Sequence, residues 1–124
     1  MNFRRLLARR IFLFAFPFCM LFSALPAVAK RSAPRPVPPV IAHGIEYSAP
    51  IDLMAFVVAI DTRTHEELWR QRIYEVSIEP TLERDVQDVF ITSLVVKARG
   101  LVIKNERNET YFLDFATRQV TKLP

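Results

Sequence analysis

The stretches "AIDTRTHEEL" (59–68) and "FLDFATRQVT" (112–121) follow one pattern. Asp61 aligns with Asp114, Thr64 with Thr117 and Ile60 with Leu113, all at an offset of 53 residues. In each copy an Asp closes an apolar strand and a Thr opens the return. A carboxylate at the start of a turn accepts hydrogen bonds from backbone NH groups two or three residues on, and a Thr hydroxyl can join the same network. Asp61, Thr64, Asp114 and Thr117 are therefore expected to hold two hairpin corners. A turn device can be repeated where a single catalytic site would not be.

The residues around these corners read as strands. "LMAFVVAI" (53–60) is an apolar run of strand length and high β-propensity. "EELWRQRIYEVSI" (66–78) predicts a longer strand whose alternation breaks near Gln71 and Arg72, the mark of a bulge or bend. Phe90–Ala98, Leu101–Asn105, Thr110–Phe115 and Arg118–Lys122 are further strands, and their short connectors join antiparallel neighbours. "GIEYSAP" (44–50) is a candidate edge strand. "PTLERDVQDVF" (80–90) differs. Pro80 suits a first helical turn, Glu83 and Asp85 suit a helix N-terminus, and Leu82, Val86 and Val89 recur at helical spacing. The fold class is thus mainly β: an antiparallel meander of about six strands with one short helix near 80–90.

The segment "VVAIDTRTHEELWR" (57–70), and more weakly "YFLDFATRQV" (111–120), resembles the repeat of quinoprotein (PQQ-type) β-propellers. In that repeat an apolar strand ending in Ala-Leu-Asp is followed by two residues, Thr-Gly, and a strand carrying Trp. The resemblance implies blade-like hairpins, one to one-and-a-half units of them, with Trp69 packed between neighbouring sheets. It matches no residue here to a cofactor-binding motif, so no cofactor is expected. Small secreted bacterial proteins with one such unit look similar over most of residues 45–124. The family's turn Gly is replaced by His65 and, in the second copy, by Arg118. Gly serves where a turn needs φ > 0, a region that His and Asn tolerate better than most residues. Left-handed backbone is accordingly expected at His65, and at Asn108 in "NERNE".

The N-terminus speaks to compartment. Arg4, Arg5, Arg9 and Arg10 precede an apolar stretch from Ile11 to Leu25, then Pro26 and Ala27-Val28-Ala29. This is the layout of a cleavable export signal, 1–29, with cleavage expected after Ala29. Its apolar core is short against the roughly 20 residues needed to span a bilayer. No stable membrane anchor is expected after cleavage, and the location is periplasmic or secreted. Residues 30–40, rich in proline, form a linker that favours extended conformations. Residues 41–124 form a single β-rich domain.

Cleavage also changes the charge argument. The chain has 17 Lys and Arg against 13 Asp and Glu, a formal +4. Four of the cations lie in the leader, so the remainder is formally neutral. The domain beyond the linker is acidic, which removes the main support for nucleic-acid binding. The single Cys lies in the leader, so the exported chain has no thiol to give a disulfide, a metal thiolate or a nucleophile.

Catalytic patterns are sparse. His43 and His65 lack convincing partners for a metal site, and Ser48, Ser77 and Ser93 lack an elbow motif. Gly44 and Gly100 stand alone, without a phosphate-cradling loop. Arg70 and Arg72 are candidates for ion pairs with Asp85 and Asp88 of the expected helix. If Tyr111 and Leu113 face the core, Phe112 points outward. Phe112, Arg70 and Arg72 form the candidate interaction patch. The expected function is non-catalytic: binding of an unidentified protein partner, or self-association. The alternative is a small-ligand-binding protein or small hydrolase with a site between sheet and helix.

Overall fold

The computed structural model describes residues 31–124; the expected leader, 1–29, lies outside the described residues. Eight strands form two four-stranded antiparallel sheets. The first contains β1 (Val40–Ala42), β2 (Ile45–Ser48), β3 (Phe56–Asp61) and β4 (Glu67–Arg72). The second contains β5 (Ile91–Lys97), β6 (Gly100–Asn105), β7 (Thr110–Asp114) and β8 (Val120–Leu123). Each sheet is a meander in chain order. The mainly β architecture is as expected, but there are eight strands rather than about six. The candidate edge strand 44–50 forms β2, and only β1, three residues long and following directly on Pro38-Pro39, was missed.

The short helix near 80–90 is not formed; the described residues contain no helix. Of the three apolar residues at helical spacing, only Val89 is buried, while Leu82 and Val86 stay mostly exposed. A helix this short is marginal in water without an apolar face to pack. Instead the Gln87 side chain gathers the local backbone. Its amide donates to the carbonyl oxygens of Glu79 (3.0 Å), Leu82 (3.1 Å) and Glu83 (3.0 Å), and its oxygen accepts from the Glu79 NH (2.5 Å).

The expected strand 66–78 also divides. β4 ends at Arg72, the Ile73 NH donates to the Ala55 carbonyl (2.7 Å), and residues 73–90 cross to the second sheet. The irregularity lies not at Gln71 and Arg72, which pair regularly with Val57 and Phe56, but at Leu68. Ala59 pairs with Trp69 and Ile60 with Glu67, so Leu68 is the extra residue of a bulge.

The core lies between the sheets. Val57 and Ala59 of β3 are fully buried on one side; Leu101, Ile103 and Leu113 are fully buried on the other, with Tyr47 and Tyr111 beside them. The buried β3 residues are small and those of β6 and β7 are large, while Tyr47 and Trp69 add bulk to the inner face of the first sheet. Burying a large aliphatic side chain stabilises by about 1.5–3 kcal/mol. Aromatic contacts join the sheets: Tyr47 stacks on Phe115 with ring centroids 5.0 Å apart, and Tyr74 on Tyr111 at 5.3 Å. The Tyr74 hydroxyl donates to the Val89 carbonyl (2.6 Å), which ties the crossing segment to the core.

The linker does not stand clear of the domain. Arg31 donates to the Asp88 carbonyl and the Glu106 carboxylate, and its guanidinium lies 5.2 Å over the Phe90 ring. Val37 packs against the core, and β1 begins at Val40.

Candidate functional site

The two corners are nearly superimposable in their hydrogen bonding. Asp61 Oδ1 accepts from the NH groups of Arg63 (2.8 Å) and Thr64 (3.1 Å); Asp114 Oδ1 accepts from Ala116 (2.8 Å) and Thr117 (2.9 Å). The Thr64 hydroxyl accepts from the Glu66 NH and the Thr117 hydroxyl from the Gln119 NH, both at 3.3 Å. His65 and Arg118 return their NH groups to the Asp61 and Asp114 carbonyls at 2.8 and 2.9 Å. Both have left-handed backbone, φ 59° and 58°. Here the glycine-like geometry is kept and the glycine is not. The NH of Thr64 and then that of Arg63 hold the Asp61 carboxyl below its ordinary range, and the NH of Thr117 does the same for Asp114. These carboxylates are engaged as turn acceptors.

A third corner uses an amide. Asn105 Oδ1 accepts from the Arg107 and Glu109 NH groups, both at 3.0 Å, and Asn108 supplies the left-handed residue at φ 59°. Asn105 is 1 % exposed. A buried amide avoids the desolvation cost of a carboxylate. Its Nδ2 donates to Glu109 (2.9 Å), which also receives Lys122 Nζ (2.6 Å) and the Tyr111 hydroxyl (3.1 Å). Lys122 and Asn105 pull the Glu109 carboxyl down to about 2.

The candidate patch is not one patch. Arg70 and Arg72 lie on the outer face of the first sheet, opposite Val58 and Phe56. Arg70 makes a bidentate pair with Glu67 (2.7 and 2.8 Å), and Arg72 pairs with Glu75 (3.3 Å) while lying 5.2 Å over the Phe56 ring. Their acidic partners are therefore local, not Asp85 and Asp88. Phe112 points away from the core, as the alternation of β7 requires, but on the outer face of the second sheet. It is half-buried, next to Gly100, with Val102 and Thr121 as cross-strand neighbours. Two outer faces at opposite ends of the stack thus carry the candidate residues.

The outer face of the second sheet has an apolar row through Val95, Val102 and Phe112. On the first sheet Ile41 and Ile60 alternate across the strands with Glu46 and Glu67, with Val58 and Phe56 beside them. Ile41 is 64 % exposed and Val95 42 %. Both were missed in the sequence.

A cleft of about 560 Å³ lies beside the crossing segment, lined by Arg72, Tyr74, Glu75, Arg84, Asp88 and Phe90 among others. Tyr74 is occupied by Val89, and burial pushes its phenol well up; Arg72 is held by Glu75. Among the described residues no cluster of three or more His, Cys, Asp or Glu could hold a metal ion, and no helix is long and apolar enough to cross a membrane. No protein-family model matches the chain, and no curated protein matches it.

Proposed function

We propose that this chain is an exported, non-catalytic β-domain that works through protein–protein contact, self-association included, and that its two sheets are blade-like units of the quinoprotein-propeller kind. One observation carries the reading. The two outer sheet faces present apolar side chains, Ile41 and Val95, that the described residues leave largely exposed, whereas the perturbed carboxylates are engaged in turns and local ion pairs. Unpartnered apolar patches mark interaction sites. The cleft beside residues 73–90 supports the second reading, a small-ligand site, because it is roomy and lined by both charged and aromatic groups.

Photo-cross-linking in the producing cell tests the first reading. A photoreactive phenylalanine analogue at position 41 or 95 is expected to give covalent protein adducts, and one at the exposed corner residue Arg107 is expected to give none. Absence of adducts at both face positions overturns it.

A further inference from the structure

The 53-residue repeat relates more than the corners. It carries Val58 and Ile60 of the first sheet onto Tyr111 and Leu113 of the second. The latter two face the core, while Val58 and Ile60 face away from it. It also carries Val57 and Ala59 onto Thr110 and Phe112. Here the relation reverses: the first-sheet residues face the core and the second-sheet residues face out. Within the chain, then, the front of one unit packs on the back of the next. The sheets are not mirror partners, and the stack leaves one unused back and one unused front.

The sizes of the side chains fit this arrangement. Inside the core the β3 residues of the front, Val57 and Ala59, are small, and the β7 residues of the back, Tyr111 and Leu113, are large. The outward front substitutes the half-buried Thr110 and Phe112, and the outward back substitutes Val58, only 5 % exposed, and the half-buried Ile60. A large front would meet a smaller back, so the summed volume across the contact is roughly kept. Volume-conserving exchanges of this kind are the ones that packed interfaces tolerate best.

We propose that the partner of this chain is a second copy of itself, docked head to tail, with Val95, Val102 and Phe112 of one copy on Ile41 and Ile60, either side of Glu46, of the next. The inference rests on the protein-contact reading above and names its partner. Such a contact is heterologous: it uses a different surface on each copy, and it builds a closed ring or an open filament according to the rotation between copies.

Sedimentation of the protein, purified in the form in which cells accumulate it, tests this. The wild-type chain is expected to associate as concentration rises. Ile41→Lys and Val95→Lys place an unpaired charge in opposite halves of the contact, and each is expected to weaken association at least ~10-fold. Both positions are exposed on edge strands, so the folded monomer should survive; Ile41→Ser and Val95→Ser replace them if lysine lowers the melting temperature. The decisive arm mixes the two variants. Each retains the surface that the other lacks, so an equimolar mixture is expected to form a one-to-one dimer and nothing larger. A face-to-self contact would be lost in only one variant and gives no such dimer, which overturns the proposal. Association unchanged in both variants overturns it as well. A wild-type chain that stays monomeric to about 100 µM, where a contact of that Kd would be half populated, also overturns it. In that case adducts to a different protein from positions 41 and 95 would leave the broader protein-contact reading standing, and their absence would end both.

Discussion

The first and second sheets share a corner and differ in nearly everything that packs around it. The first buries Val57 and Ala59 and turns at His65. The second buries Leu101, Ile103 and Leu113, brings β6 and β7 together at Gly100, and turns at Arg118. A corner made of backbone NH groups and one carboxylate depends on few side chains and survives in both. The packing surface does not, because two stacked sheets need complementary sizes rather than equal ones.

The largest expected effect tests how far the second sheet depends on that close approach. A Cβ at Gly100 would lie 2.1 Å from the Leu113 carbonyl oxygen and 2.7 Å from the Phe112 ring. The first of these is backbone and can yield only if β7 moves. Gly100→Ala is expected to destabilise by about 3 kcal/mol or more in urea unfolding. Gly44, in the first sheet, has only a side-chain atom at 3.9 Å, so its substitution is limited by its φ of 73° rather than by space. A mild effect at Gly100 would mean the two sheets are less distinct than their packing implies.

An intermediate effect compares the corners directly. His65→Gly removes left-handed strain at the cost of chain entropy and is expected to be neutral or stabilising by up to about 1 kcal/mol. Arg118→Gly also gives up a guanidinium 5.8 Å over the Trp69 ring, and it should gain less or lose by about 0.5 kcal/mol. Valine at either site should destabilise by about 1–2 kcal/mol, since β-branched residues fit φ > 0 poorly. Thermal melts of the four variants read this. Equal responses to Gly would dismiss any role for the Arg118–Trp69 contact.

The smallest effect concerns acid. Glu109 belongs only to the second sheet and is held at about 2 against an ordinary 4.5. A lowered carboxyl contributes stability that is fully present above 4.5 and lost as pH falls towards 2. Glu109→Gln should therefore melt below wild type at neutral pH, with the gap closing as pH falls from 4.5 to 2. Glu109 is partly exposed, so solvent limits the gap. A gap that is constant with pH would assign Glu109 a packing role instead.

Much of this fold was legible because its signals are local. Asp61 and Asp114 announce their corners two and three residues ahead, and left-handed backbone at His65 and Asn108 is expected from the turn glycine of the resembled repeat and the tolerance of His and Asn for φ > 0. The outward direction of Phe112 follows from strand alternation. Other features depend on distant partners. The helix expected from Leu82, Val86 and Val89 had the right spacing but no surface to bury Leu82 and Val86 against. The bulge lies at Leu68, near the start of β4, not at the polar residues Gln71 and Arg72. Arg70 and Arg72 looked for acid on the crossing segment and found it at Glu67 and Glu75. Their separation from Phe112 could not be read before the stacking of the sheets was known, because strand alternation gives a face but not which neighbour covers it.

Trp69 is the single tryptophan of the chain. Its ring lies 5.8 Å from Tyr47 of its own sheet and 5.8 Å from the Arg118 guanidinium of the other. The indole is thus a built-in optical gauge of the seam. Far-ultraviolet dichroism follows the backbone of both sheets, whereas tryptophan emission follows the fit between them. Coincident curves from the two signals would identify a single cooperative body, and an earlier change in emission would reveal the sheets parting while each still holds its strands.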